Sequence, residues 1–158
     1  AVAALTAAPA GRIVDRLGTQ RVSTAGIIGM ATGAIALSML PTMSGIPGYL
    51  APLVVITASY AFFQTANNTA VMKDVSPEQR GVISGLLNLS RNLGLITGAS
   101  LMGAVFALAS AAPDITTASP DAVASGMRIT FAVASVLIVM AFAIAVSSRA
   151  RSASALHH

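Results

Sequence analysis

Ser84, Asn88, Arg91 and Gly98 recur at steps that place them on one face of a helix. That face offers a hydroxyl, a carboxamide and a guanidinium, groups that hold a partner by hydrogen bonds and charge. A second polar set precedes it: Gln64, Asn67 and Asn68, with Tyr60 one turn earlier on the same side. Neither set pairs a nucleophile with a base, joins two carboxylates, or forms a glycine loop able to cradle phosphate. The residue types therefore point to binding rather than catalysis, and no enzyme is expected. The chain has no Cys, and His157 and His158 close a Ser/Ala-rich tail without the further ligands a metal needs. No metal site and no cofactor is expected.

The elements that carry these residues are unusually apolar. Hydrophobic residues make up 55% of the 158 and charged ones 9%, against about 25% charged in ordinary soluble domains. Mean hydropathy is +0.80. Between Arg21 and Lys73 there is no Asp, Glu, Lys or Arg, a run long enough for two membrane spans of ~20 residues each. Spans are expected near 22–40, 50–72, 82–109 and 126–146, with 149–158 as a tail, and Ala1 to Ala8 reads as the end of a helix that starts earlier. These segments are apolar on all sides, without the one-sided stripe of a soluble helix. The expected fold is all-α, a polytopic transmembrane helix bundle in a lipid bilayer. Ser76-Pro77-Glu78-Gln79 and Ser119-Pro120-Asp121 each offer a capping Ser followed by Pro, predicting helix starts there. Pro41 and the stretch from Ser44 to Gly48 predict the turn after the first span.

Charge sets the orientation. Arg12, Arg16, Arg21, Lys73, Arg80, Arg149 and Arg151 fall on one side of the four spans, and the opposite loops hold only Asp114 and Asp121. Positive loops stay inside, which predicts a cytoplasmic C-terminus in a multi-pass protein of a bacterial cell membrane. The net charge of +4 thus marks topology. With no basic helix face and no aromatic-basic interleaving, nucleic acid is not expected as a partner.

Within this frame Arg91 lies about nine residues into its span, or ~13 Å by helical rise. An Arg at that depth costs at least ~2.5 kcal/mol on insertion scales and requires a protein or water partner. Two readings stand side by side: a cation lining a cavity, in contact with substrate or a carboxylate, or an anchor bonded to the backbone carbonyls of a neighbouring helix. The amides Gln64, Asn67 and Asn68, with Tyr60 one turn earlier, have a similar pair of readings, as interhelical glue worth ~0.6–2 kcal/mol per amide or as cavity groups that hydrogen-bond substrate. Gly26, Gly29 and Gly33, and Gly94 with Gly98, have the spacing of close-packed helix faces. Arg128 is placed near the outer end of the last span, where it can snorkel to headgroups. The seven Met read as adaptable packing.

Gly11-Arg12-Ile13-Val14-Asp15-Arg16-Leu17-Gly18-Thr19-Gln20-Arg21 reads as a short basic loop between spans, with Gly11 and Gly18 allowing tight turns. Its Gly11, Asp15, Arg16, Gly18 and Arg21 match the pattern G-x-x-x-D-R-x-G-x-x-[RK], and the loop resembles the signature loop of the major facilitator superfamily. Arg80-Gly81-Val82-Ile83-Ser84-Gly85-Leu86 followed by Arg91-Asn92-Leu93-Gly94 is similar to the penultimate helix of that family's drug:proton antiporter branch, often the fourteen-helix one. Gly98 and Gly103 continue the pattern.

The resemblance implies a set of expectations. The signature loop joins the second and third helices of each six-helix half, and the four spans after it suit the C-terminal half. The chain would then be a C-terminal fragment whose N-terminal part is missing. Asp15 and the loop Arg residues would form a conformational latch, held in one access state and broken in the other. The whole protein would export hydrophobic or cationic small molecules in exchange for protons. No acid falls inside the predicted spans, so the coupling carboxylate would lie in the missing part. The rival readings are an importer or facilitator of another branch, and a stand-alone polytopic protein with a structural or assembly role.

Overall fold

The computed structural model describes residues 2–40, 45–111 and 118–155, with side chains for 10–40, 47–111 and 118–147. Pro41, Ser44, Asp114, His157 and His158 lie outside the described residues. Among the described residues five helices follow in order: α1 (Val2–Leu17), α2 (Thr19–Met39), α3 (Gly45–Met72), α4 (Arg80–Ser110) and α5 (Pro120–Ala155). Four stretches are long and apolar enough to cross a membrane: Thr19–Met39, Pro47–Met72, Arg80–Ser110 and Pro120–Ser147.

Backbone bonding inside each helix is what lets these segments enter lipid, where no water pairs a free amide or carbonyl. Side-chain hydroxyls follow the same rule. Thr57, Thr65 and Thr130 each donate to the carbonyl four residues back, at 2.8, 2.9 and 2.7 Å. Among the described residues no buried side-chain nitrogen or oxygen lacks a partner.

Packing sets the helices in an open ring. α2 packs along α3 on one side and α5 on the other, α5 carries α4, and α1 rests on α3. α4 barely meets α3, so the ring stays open between them. A third of the span window of α2 is buried (33%), against 6% for α4, so α2 is the centre and α4 the rim. The α2–α3 seam depends on glycine. A Cβ on Gly26 would lie 2.9 Å from Phe63 Cβ, Phe63 N and Ser59 O, and one on Gly33 would lie 2.6 Å from Ile56 Cγ1. Gly29 meets the Ser59 side chain in the same way. Gly126 performs the same service for α5 against Phe106 of α4.

The helix ends differ from the sequence expectation in instructive ways. Ser119 Oγ accepts from Ala122 N at 3.2 Å, so the cap forms where its residues predict it. α5 therefore starts at Pro120, at the helix start predicted from Ser119-Pro120-Asp121. Asp121 then sits in the helix's first turn, and Arg128 follows eight residues after Pro120. α5 also continues as helix to Ala155, through the stretch expected as tail. At the other predicted start, Pro77 to Gln79 form a turn closed by Gln79 N to Ser76 O at 3.0 Å, and α4 begins only at Arg80. Ser76 bonds Glu78 there instead of capping a helix.

The glycines of α4 are the second correction. Nothing lies within 4 Å of a Cβ built on Gly94, Gly98 or Gly103, so none of them packs a helix among the described residues. Spacing allows close approach, but a neighbour must be present to use it.

Candidate functional site

The opening between α3 and α4 is a groove of about 410 Å³. One wall is α3, which presents Tyr60, Phe63, Gln64, Asn67 and Asn68 at helical spacing. The other is α4, which presents Ser84, Leu87, Asn88, Arg91 and Gly94. The wedge starts near Met72, at the turn that joins the two helices, and reaches up to Leu95. All six cavity candidates named from the sequence, Arg91, Asn88, Ser84, Tyr60, Gln64 and Asn67, line it together. Sequence reasoning missed Phe63 and Leu87, whose apolar character inside an apolar helix carries no signal.

The α4 wall is internally ordered. Asn88 Nδ2 donates to Ser84 O at 3.1 Å, which turns Asn88 Oδ1 toward the next turn. Arg91 Nη2 donates to that oxygen at 2.7 Å. The guanidinium is thus fixed by a neutral amide on its own helix, and its other donors keep their capacity. Among the described residues it bonds no other helix. Arg91 stands eleven residues into α4, ~16 Å along the helix axis. No carboxylate is among the described residues lining the groove.

The glycine-bounded segment is not a loop of the expected kind. α1 runs as helix through Gly11, Asp15 and Arg16 to Leu17, and α2 starts at Thr19. Only Gly18 leaves the helical region, with φ 84° and ψ 151°. Gly18 N still bonds Val14 O at 2.9 Å, and Gly18 O accepts from Val22 N at 3.3 Å, so one residue ends one helix and begins the next. Gly11 shares no such need, because a helical φ suits any residue. Asp15, Arg16 and Arg21 are exposed around this turn, and Asp15 pairs with none of Arg12, Arg16 or Arg21. Val14 and Val22, 3% and 4% exposed, clamp the turn onto Ala66 of α3.

Gly18 occupies a backbone region that is essentially glycine-only. Gly18→Ala is expected to lose about 1–3 kcal/mol of stability although open space surrounds it. Gly11→Ala, in a helical site with equally open space, is expected to gain up to about 1 kcal/mol. Paired thermal melts of the two variants check both signs.

Outside the spans, the Glu78 carboxyl is held below the ordinary carboxylate range by its own backbone amide and by Ser76. It lies in the turn that joins α3 to α4.

The model of the Major Facilitator Superfamily matches residues 1–99, which include α1 to α3, the Gly18 turn and the groove-lining part of α4. The chain belongs to the major facilitator superfamily. It is a multi-pass membrane protein of a transporter family. Among curated relatives, the uncharacterized transporter YebQ of Escherichia coli is 29% identical over 102 residues, covering 64% of this chain and 22% of that protein. The riboflavin transporter RibZ of Clostridioides difficile is 26% identical over 103 residues, covering 65% of this chain and 23% of that protein. The matched part thus spans less than a quarter of these superfamily members. No solved structure matches the chain.

Proposed function

We propose that the chain forms part of the C-terminal half of a secondary transporter of the drug:proton antiporter branch, exporting hydrophobic small molecules by alternating access. The observation that carries this reading is the groove, where the polar residues of two otherwise apolar helices converge on one opening instead of scattering. A site near the membrane midplane between helices is where alternating access requires substrate to sit. The groove's size falls within the range of small-molecule sites. Cationic compounds, admitted by the sequence, suit it less well because Arg91 is the one formal charge among the described residues lining it. RibZ is named for riboflavin, and the amides of Gln64, Asn67 and Asn68 beside Tyr60 and Phe63 make a polar heteroaromatic substrate the second reading.

The other parts take roles around this site. The N-terminal part of the transporter supplies the facing wall and the carboxylate that carries protons. The Gly18 turn is the conformational switch, with Asp15 exposed and ready for a partner from another segment. The basic ends of the helices face the cytoplasm of the cell. Reconstituted in proteoliposomes, the whole transporter is expected to move N-phenylnaphthylamine against its gradient when a pH gradient is imposed, with protons flowing the other way. Flux that ignores the pH gradient would sink the antiport reading and leave a facilitator.

A further inference from the structure

Among the described residues the guanidinium in the groove has an orienting partner but no neutralising one. Asn88, which fixes it, is a carboxamide, itself locked to the Ser84 carbonyl. The α3 wall opposite offers Gln64, Asn67 and Asn68, again amides, and Tyr60. Polar groups are therefore plentiful on both walls, yet the charge of Arg91 is kept whole. Among the described residues the amides of α3 do not bond the guanidinium, whose bond goes to Asn88 on its own helix.

A charge at this depth is costly unless paired, and no described residue lining the groove supplies the pair. An incoming anion supplies it. A guanidinium presents parallel N–H donors that match a carboxylate in a two-point contact, and the contact is stronger than a neutral hydrogen bond. Phe63 and Leu87 beside it offer an apolar surface for the rest of such a molecule. We propose that the α3–α4 groove binds amphipathic organic anions, with Arg91 receiving the carboxylate and the apolar body lying against Phe63 and Leu87. This rests on the reading of the groove as the substrate site and narrows its substrate class.

Two probes of nearly one shape separate charge from hydrophobicity: naphthaleneacetate and its neutral amide, naphthaleneacetamide. Binding to the whole transporter in nanodiscs, and flux in proteoliposomes, are measured for both. The wild type is expected to bind naphthaleneacetate at least about tenfold more tightly than the amide. Arg91→Gln is expected to erase that difference while leaving the amide's affinity in place, and Arg91→Lys to keep part of it. Asn88→Ala, which frees the guanidinium without removing it, is expected to reduce the preference, and it serves where Arg91→Gln fails to accumulate folded. Equal binding of the two probes by the wild type, or a preference that survives Arg91→Gln, overturns the proposal. Flux without charge preference overturns the anion site and leaves the transport reading standing. Charge-selective binding without flux does the reverse.

Discussion

Arg91→Ala abolishes naphthaleneacetate transport by the whole transporter, a drop of at least about 100-fold in rate, while the folded yield stays near wild type. The expectation follows from what Arg91 touches. Its bond at 2.7 Å goes to Asn88 on its own helix, so its removal breaks no contact between helices among the described residues. The variant also deletes a charge from the membrane interior, which removes an insertion cost of at least ~2.5 kcal/mol. Stability is thus expected to hold or rise. What disappears is the only formal charge among the described residues lining the groove, and losing a charge-assisted contact with substrate costs far more than losing a neutral one. Initial-rate flux with a parallel gel-filtration profile checks the claim. A profile that collapses into aggregates would make Arg91 the helix anchor of the alternative reading, and wild-type flux would remove it from the site.

How much of this was legible in the sequence depends on contrast. Arg91, Asn88 and Gln64 stand out because a polar residue in an apolar helix is costly and must be explained, so their types and steps sufficed to gather them. Phe63 and Leu87 line the same groove and gave no sign, since an apolar residue there has no need of one. Glycine is ambiguous for another reason. Gly11 and Gly18 look alike in a string, yet one is helical and the other sits at φ 84°, because a single positive φ suffices to turn the chain and the rest of the segment is free to stay helical. Helix ends blur for the same cause: Ser76 and Ser119 carry one motif, and only Ser119 caps. Whether a small-residue face is buried depends on a neighbour that the face does not encode. The pairs Gly29 with Gly33 and Gly94 with Gly98 have the same spacing, and only the first meets a helix.

That difference gives the last large effect. Gly26→Leu is expected to prevent the bundle from folding, and Gly26→Ala to cost about 1–3 kcal/mol or more. Two of the three atoms that a Cβ at Gly26 would meet at 2.9 Å are the backbone atoms Phe63 N and Ser59 O. No rotamer change moves them, so α2 and α3 must separate along the seam that Gly29 and Gly33 also keep tight. α2 is the helix the ring is built on, and its displacement reaches α5 as well as α3. Gly98→Ala makes the matched control. It adds the same methyl group to a site with nothing within 4 Å, where the helix favours Ala by about 1 kcal/mol. Melting curves of the whole transporter in one detergent are expected to place Gly26→Ala well below wild type and Gly98→Ala at or above it. Equal losses at both positions would mean that another segment covers α4. A neutral Gly26→Ala would mean that the α2–α3 seam is looser than its distances state.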